Sequence, residues 1–241
     1  MSAARRSRTL GTAVLAGALA VGVAACLPAS PTSQGKAIGN LYLVFAWGGI
    51  FVAVLVWTLV TIAIIRGRRA RGMPKQIVGN TVIESIWTGV PLLAVLGLFG
   101  LTLLTLNTVL ARSPETGITV NVTAFRWQWQ FDYPVDGVRV VGQIGNDPEM
   151  VVPVGEPVHV SLMSPARDVN HAFWVPQFLF KRDAIAGRTS DFDFTVEEAG
   201  TYRGQCAEFC GVYHDAMTFS VRAVSRPEYD AWVATHKSSQ P

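Results

Sequence analysis

Four side chains between Cys206 and Met217 have the residue types and spacing of a metal site. The stretch reads Cys-x3-Cys-x3-His-x2-Met, which places Cys206, Cys210, His214 and Met217 within twelve residues. Thiolate, imidazole and thioether are soft or borderline ligands, which suit copper better than magnesium or calcium. The stretch lacks a second imidazole, and the best donor upstream is His171. We predict a two-copper electron-transfer centre in which the two cysteines bridge the metal ions.

Three other interpretations of these residues remain open. Two cysteines four positions apart in an exported domain could form a disulfide. Two cysteines and two histidines could hold a structural zinc. The histidine and the methionine could also be ordinary core or surface residues. Copper is favoured, because a disulfide requires neither His214 nor Met217, zinc has no use for a thioether, and copper electron-transfer sites often carry a weak axial methionine.

The segment that must position these ligands has the pattern of a β domain. From Gly117 onward, short β-rich runs are broken by Gly, Pro and Asp. In one run, Val158, Val160 and Leu162 alternate with polar residues, which predicts a strand with one buried face. Further predicted strands are 118–122, 127–133, 138–143, 150–154, 190–196, 201–205 and 218–224. Many short strands at this spacing indicate a β-sandwich or barrel over residues 113–241, followed by a terminal helix from Pro227 to about His236 that opens on a capping box.

Two long uncharged segments precede this domain. Half of the 241 residues are hydrophobic and the mean hydropathy is +0.32, which is typical of chains with membrane spans. No charge occurs from residue 37 to 65 or from residue 85 to 111. Each segment can cross a hydrocarbon core of about 30 Å as a helix. We predict a transmembrane hairpin over residues 40–112, with Pro91 kinking the second helix.

Charges around the two spans predict the orientation of the hairpin. Five basic and no acidic residues lie in the loop from Arg66 to Lys75, which places this loop in the cytoplasm and the β domain outside. From Glu115 onward, sixteen acidic and ten basic residues give a net charge of about −6. An acidic exported domain favours a basic soluble protein partner. The overall pI of 8.9 therefore does not argue for a nucleic-acid partner.

The N-terminus resembles a bacterial lipoprotein signal. Arg5, Arg6 and Arg8 precede a short apolar run that ends in Val-Ala-Ala-Cys26, the pattern of a signal peptide with a small-residue cleavage site. We predict a signal peptide over residues 1–25, cleavage and lipidation at Cys26, and a linker over residues 26–39 that is irregular from Leu27 to Lys36. The alternative is an uncleaved extra helix with a stray cysteine.

These motifs together resemble subunit II of the haem–copper cytochrome c oxidases, the subunit that carries the CuA centre. The family pattern C-x-E-x-C-G-x-x-H-x-x-M is matched by Cys206, Glu208, Cys210, Gly211, His214 and Met217, and the pattern D-V-x-H-x-F-W-V-P is matched by residues 168–176. The resemblance implies a cupredoxin-like Greek-key sandwich behind a two-helix hairpin. It also implies a dinuclear CuA centre bound by His171, Cys206, Cys210, His214 and Met217, and by the backbone carbonyl of Glu208. In the family, the side chain of this glutamate reaches a magnesium ion shared with subunit I.

The resemblance also implies roles for two residues outside the copper motif. Trp127 would receive electrons from cytochrome c, although position alone favours a core or sheet-surface aromatic. Gln128 departs from the family, which usually has an aromatic there. Glu84 would open a proton path into subunit I, although its position alone favours an interfacial carboxylate. Asp132, Asp136, Asp147 and Asp168 are candidate docking charges for cytochrome c.

The function implied is that of an electron-accepting subunit in the bacterial cell membrane. It would pass electrons from cytochrome c to haem in subunit I, which also holds copper-B, in a complex with subunit III that reduces oxygen to water and pumps protons. Alone, the chain would not be catalytic. Two alternatives are a copper-free subunit II of a quinol oxidase and a stand-alone copper-binding module. The retained ligands argue against the first, and the hairpin with Glu84 argues against the second.

Overall fold

The computed structural model describes residues 29–70, 72, 78–114 and 117–237. The predicted signal peptide and Cys26 lie outside the described residues. The chain divides into two compact units. One unit contains residues 40–107, and the other contains residues 28–39 and everything from residue 108 onward.

Two helices account for the apolar segments. Helix α1 spans Ser33–Arg69 and helix α2 spans Thr81–Leu110. Both are long and apolar enough to cross a membrane, and most of their side chains are exposed. Helix α2 continues through Pro91. The prediction of two apolar helices of membrane-spanning length is therefore confirmed.

Helix α1 begins earlier than the sequence suggested. We expected an irregular linker as far as Lys36, but residues from Ser33 onward are helical, so that expectation is wrong for this stretch. The side chain of Thr32 accepts a hydrogen bond from the backbone N–H of Gly35 at 3.0 Å. A threonine N-cap satisfies a donor that the first turn would otherwise leave unpaired.

The remainder of the chain forms a two-sheet β-sandwich. The strands are β1 (Ile118–Phe125), β2 (Gln128–Tyr133), β3 (Val138–Val141), β4 (Glu149–Pro153), β5 (Pro157–Met163), β6 (His171–Val175), β7 (Phe180–Ala184), β8 (Thr189–Thr195), β9 (Gly200–Cys206) and β10 (Thr218–Val224). One sheet has the order β3-β2-β1-β5-β8 and the other β4-β10-β9-β6-β7. Strands β1 and β5 pair in parallel, as do β4 and β10. The predicted cupredoxin-like sandwich is confirmed.

Alternating burial of the strands builds the core between the two sheets. In β5, Val158, Val160 and Leu162 are buried and the polar residues between them are not, as the alternation predicted. The centre of the core is aromatic: the ring of Phe219 lies 5.0 Å from that of Trp129 and 4.6 Å from that of Phe173. Such contacts bury large apolar surfaces and fix the mutual orientation of the rings. The strands that carry the site therefore rest on a rigid support.

Two local predictions have different outcomes. The terminal helix α3 spans Arg226–Lys237, and the carboxylate of Glu228 accepts hydrogen bonds from the backbone N–H and the hydroxyl of Ser225, so the predicted helix start is confirmed to within one residue. By contrast, Trp127 was expected to open a strand, but β2 begins at Gln128 and Trp127 lies in the preceding turn.

Tyr133 connects the two sheets through a buried hydroxyl. This hydroxyl donates to the carbonyl of Val151 at 3.0 Å and accepts from the N–H of the same residue at 2.8 Å. Val151 belongs to β4, an edge strand of the second sheet. The hydroxyl thus satisfies two backbone groups that would otherwise be buried without a partner.

We expect Tyr133→Phe to destabilise the β-sandwich by about 1–3 kcal/mol, because both backbone groups of Val151 lose their partner in a dry environment. Urea denaturation of the full chain, followed by tryptophan fluorescence, measures the loss. The matched control is Tyr229→Phe, which deletes a partly buried hydroxyl that donates to the carboxylate of Asp136. Equal effects of the two substitutions would contradict the special role of Tyr133.

Candidate metal centre

Two neighbouring strands and one loop bring the predicted ligands together. His171 is the first residue of β6, Cys206 is the last residue of β9, and Met217 directly precedes β10. Strands β6 and β9 are paired so that Phe173 lies opposite Cys206. The loop between β9 and β10, residues 207–217, is termed the metal loop. A hydrogen bond of 2.9 Å closes the loop, from the N–H of Cys206, which directly precedes it, to the carbonyl of Met217, its last residue.

The two thiols form the middle of the cluster. Their sulfur atoms lie 3.9 Å apart. The Sγ of Cys206 lies 3.7 Å from Nδ1 of His171, and the Sγ of Cys210 lies 3.5 Å from Nδ1 of His214. Two weaker donors complete the group: the carbonyl oxygen of Glu208 is 3.3 Å from Sγ of Cys206, and Sδ of Met217 is 3.8 Å from Sγ of Cys210. All six predicted ligands are therefore brought together.

The cysteines are reduced and buried. Both are free thiols, and their separation is far longer than the S–S bond of about 2.05 Å. Cys206, Cys210, Met217 and His171 each expose 4% or less of their surface. The disulfide interpretation therefore does not describe this structure. His214 is only half-buried, so it forms the outer side of the cluster.

The distances fit bridging by metal ions. Metal–sulfur and metal–imidazole bonds are about 2.3 and 2.0 Å long, so two donors on one ion lie at most about 4.6 Å apart. The sulfur–sulfur and sulfur–nitrogen distances above all meet this limit. Among the described residues, the donors that lie within 4.8 Å of one another are those of His171, Cys206 and Cys210. His214 is not part of that group, although it contacts Cys210. The six donors together exceed the four ligands that a structural zinc ion takes. The donor set is consistent with copper.

His171 is prepared for metal binding by its surroundings. Burial lowers the pKa of His171 below its ordinary value, although Asp168 opposes the shift, so the imidazole is neutral and able to ligate. Its Nε2 atom is buried and makes no hydrogen bond within the described part of the chain. The nearest carboxylate oxygen, Oδ1 of Asp168, lies 3.6 Å from Nε2. A carboxylate behind a ligating histidine is a common way to orient the ring.

Asp168 is fixed from several directions. Its carboxylate accepts hydrogen bonds from the backbone N–H and Nε of Arg126 and from the backbone N–H of Val169. Burial opposes its ionisation, but these hydrogen bonds and the charge of Arg126 hold the pKa of Asp168 below its usual range. The acidic pattern of the sequence predicts only a docking charge for Asp168. Its position three residues before a ligand was the signal for a role in orienting His171.

The second thiol is strongly protonated without metal. Burial, together with the neighbouring thiol of Cys206, raises the pKa of Cys210 to about 12. A metal ion binds thiolate and must displace this proton. Burial therefore favours the protonated form of Cys210, and a bound metal ion would replace this proton.

Two tryptophans contact the metal loop. Nε1 of Trp127 donates to the carbonyl of Cys210 at 2.9 Å, and Nε1 of Trp129 donates to the carbonyl of Met217 at 3.3 Å. Trp129 is fully buried, whereas Trp127 is partly exposed. Both indoles thus touch the backbone of ligand residues, although Trp127 lies in a turn. Trp127 alone of the pair also reaches the surface.

The two carboxylates with implied roles, those of Glu208 and Glu84, belong to different units of the chain. The Glu208 side chain is half-exposed, and its carboxylate lies 3.9 Å from Nζ of Lys181. In the other unit, Oε1 of Glu84 accepts the backbone N–H of Asn80 at 3.1 Å, and the side chain of Asn80 caps the first turn of α2. Glu84 is therefore part of a helix-capping arrangement.

The carboxylates proposed for docking are all engaged within the domain. Asp132 pairs with Arg139, Asp136 accepts from Tyr229, and Asp147 accepts from Thr218. With Asp168 bound to Arg126, each of the four has an internal partner. The pattern of acidic residues in the sequence could not reveal three of these pairs, because the partners of Asp136, Asp147 and Asp168 lie far away along the chain.

Comparison with known proteins places these features in one family. Residues 134–224 match the family described as cytochrome c oxidase subunit II, periplasmic domain. Cytochrome c oxidase subunit 2 of Corynebacterium glutamicum is 31% identical over 88% of this chain and 76% of its own length. The subunit 2 of Alkalihalophilus pseudofirmus is 37% identical over 76% of this chain, and the chain spans 53% of that relative's length.

A solved structure is also similar. The periplasmic domain of subunit II of cytochrome oxidase from Bradyrhizobium japonicum is 34% identical, with 53% of this chain and 98% of that chain covered and a TM-score of 0.48. The sequence relatives, at this identity and coverage, establish the relationship. The chain belongs to the family of cytochrome c oxidase subunit 2, a component of an oxidoreductase complex.

Proposed function

We propose that this chain is the electron-accepting subunit of a terminal oxidase, with a dinuclear copper centre in the metal loop. In this proposal it accepts electrons from cytochrome c and passes them to haem in subunit I, within a complex that includes subunit III. There oxygen is reduced to water and protons are pumped. The observation that carries the proposal is the pair of buried, reduced thiols 3.9 Å apart, each within 3.7 Å of an imidazole nitrogen.

The residues of the site divide into strong and weak donors. Cys206 and Cys210 would bridge two copper ions, and His171 and His214 would each supply an imidazole. Met217 and the carbonyl of Glu208 would supply the weaker contacts. A dinuclear copper centre of this kind supplies a one-electron carrier whose charge is shared between two metals.

Burial and rigidity support the proposed electron transfer. The ligands are held by paired strands, by the hydrogen bond between Cys206 and Met217, and by the indole of Trp129. If the ligands move little when the metal centre gains or loses one electron, the reorganisation energy of electron transfer is low. The side chains of Cys206, Cys210 and Met217, three of the proposed ligands, each expose 4% or less of their surface. A stand-alone copper carrier would benefit from a looser site that releases its metal.

Metal analysis of the purified native complex tests the proposal. We expect two copper ions per subunit II in the metal loop, and we expect Cys210→Ser to abolish dinuclear binding because it removes one of two bridges. The matched control is Ser190→Ala, which deletes a hydroxyl on β8 and leaves every donor in place. One zinc ion, a Cys206–Cys210 disulfide, or a metal-free site as in a quinol oxidase subunit would contradict it.

Trp127 is proposed as the residue that receives electrons from cytochrome c. Its support is the hydrogen bond from Nε1 to the carbonyl of Cys210, combined with partial exposure. The indole therefore connects the protein surface to the backbone of a ligand. The acidic character of the domain supports a basic electron donor. Because the four candidate carboxylates already have internal partners, they would attract the donor through the negative electrostatic potential of the domain and would not serve as free contact groups.

We expect Trp127→Ala to slow reduction by cytochrome c at least about tenfold, equivalent to ~1.4 kcal/mol in the activation barrier, while the copper absorption spectrum stays unchanged. Stopped-flow mixing of the oxidase with reduced cytochrome c measures the rate. Trp127→Phe should have a smaller effect, since it keeps one aromatic ring although it loses the pyrrole ring and its N–H group. An unchanged rate in Trp127→Ala would refute this role.

Glu84 is proposed as the start of a proton path from the cytoplasm. The support is its place in the first turn of α2, nine residues after Lys75 in the sequence, together with the role that the family resemblance implies for this glutamate. Its carboxylate accepts only one hydrogen bond from the backbone of Asn80 among the described contacts. It therefore retains lone pairs for exchange with water.

We expect Glu84→Gln to slow turnover and proton uptake by the assembled oxidase, because glutamine can still accept the Asn80 hydrogen bond but cannot carry a proton in exchange. Proton uptake during reduction, followed with a pH-sensitive dye, measures the effect. Asn80→Ala is the control, since it disturbs the helix cap and keeps the carboxylate. If Asn80→Ala slows proton uptake and Glu84→Gln does not, the proposed role of Glu84 in the proton path is contradicted.

Three further assignments complete the proposal. The β-sandwich would lie outside the bacterial cell membrane, with α1 and α2 crossing it and the basic loop in the cytoplasm. The carboxylate of Glu208 would reach a magnesium ion shared with subunit I.

Cys26 would be lipidated after removal of residues 1–25, and intact-mass analysis should show that modified terminus. An unmodified Met1 terminus would exclude it.

A further inference from the structure

Tyr213 packs directly against the tryptophan proposed to receive electrons. The ring centroids of Tyr213 and Trp127 lie 5.3 Å apart, and the ring planes are inclined by 73°. This is the edge-to-face arrangement in which the positive edge of one ring meets the negative face of the other. Tyr213 belongs to the metal loop and is 44% exposed. It therefore stands beside Trp127 at the surface of the site.

Trp127 depends on side-chain contacts for its position. It lies in the turn between β1 and β2 and outside the paired residues of those strands. Its indole N–H reaches the carbonyl of Cys210 because Gly211 leaves room: a Cβ atom there would lie 3.1 Å from Nε1 of Trp127. Gly211 also has a φ of +120°, which other residues rarely adopt. The N–H group of the indole thus contacts the loop backbone, and the aromatic ring of Tyr213 packs against the indole ring.

We propose that Tyr213 is a positioning residue for electron transfer into the metal centre. It holds the indole of Trp127 in the orientation that keeps Nε1 on the carbonyl of Cys210. The inference rests on the proposed function of Trp127. In the step itself the donor loses one electron and the metal centre gains it. Tyr213 is neither oxidised nor deprotonated, so its ring is required and its hydroxyl is not.

The expected effect follows from the strength of one aromatic contact. Removing the tyrosine ring takes away an interaction whose loss changes the equilibrium constant between the competent and the other orientations of Trp127 by about two- to tenfold. Where the other orientations become dominant, the limiting rate of electron transfer should fall by up to the same factor. The affinity for the donor should change much less, because the exposed apolar side chain of Phe209 remains in place.

The test compares Tyr213→Ala with Tyr213→Phe in the purified oxidase complex. Stopped-flow reduction by cytochrome c over a range of donor concentrations separates the limiting rate from the donor Kd. The reduction potential and absorption spectrum of the centre are measured on the same samples. Val212→Ala is the control, since it removes exposed apolar surface next to Tyr213 and leaves the Tyr213–Trp127 contact intact.

A second readout follows Trp127 directly in the metal-free full chain. With 5-fluorotryptophan incorporated, the ¹⁹F resonance of Trp127 is assigned as the line that disappears in Trp127→Phe. Tyr213→Ala should shift or broaden that line, because the neighbouring ring no longer fixes the indole. Tyr213→Phe should leave it in place.

The proposal predicts a limiting rate lower by up to about tenfold in Tyr213→Ala, recovery in Tyr213→Phe, and no additional loss when Tyr213→Ala is combined with Trp127→Ala. An unchanged limiting rate, a change confined to the donor Kd, or a shifted reduction potential would overturn it. Failure of the underlying function is distinguishable, because in that case Trp127→Ala would itself leave reduction by cytochrome c unchanged.

Discussion

Two buried thiols held 3.9 Å apart without a covalent bond are the constraint on which the site depends. A pair of protonated sulfurs in an apolar pocket gains little by itself, and burial raises the pKa of Cys210 to about 12. The arrangement becomes favourable when a thiophilic cation replaces the protons. The strand ends, the loop closure from Cys206 to Met217 and the imidazoles on either side all serve to hold this pair in place.

The β-sandwich supplies the rigidity that a loop of eleven residues lacks. Pairing of β6 with β9 brings His171 beside Cys206, and β10 fixes Met217 at the other end of the metal loop. The aromatic core beneath the loop, with Trp129 at its centre, contacts both a ligand ring and a ligand backbone. The proposed metal binding and electron transfer therefore depend on where two strands end, and Trp127 forms the exposed side of the same cluster.

Local sequence determined most of what could be predicted. The ligand types and the apolar helices are visible in short stretches, because the metal loop and the membrane-length segments each contain their own signal. Features that depend on partners far along the chain were missed: the placement of Trp127 in a turn beside Cys210, and the pairing of Asp136, Asp147 and Asp168. Two local features were missed as well, the start of α1 at Ser33 under the Thr32 cap and the pairing of Asp132 with Arg139. Tyr213 carried no motif, and only the folded loop shows that it lies against Trp127.

The central claim is that two metal ions share the paired thiols, and electron paramagnetic resonance of the native oxidase tests it most directly. When an unpaired electron is delocalised over two equivalent copper nuclei, its hyperfine coupling is divided between both. We expect this two-nucleus hyperfine pattern in the spectrum of the proposed centre. We also expect the pattern to be lost in Cys210→Ser. A signal from a single copper nucleus, or no copper signal at all in the oxidised protein, would contradict the claim.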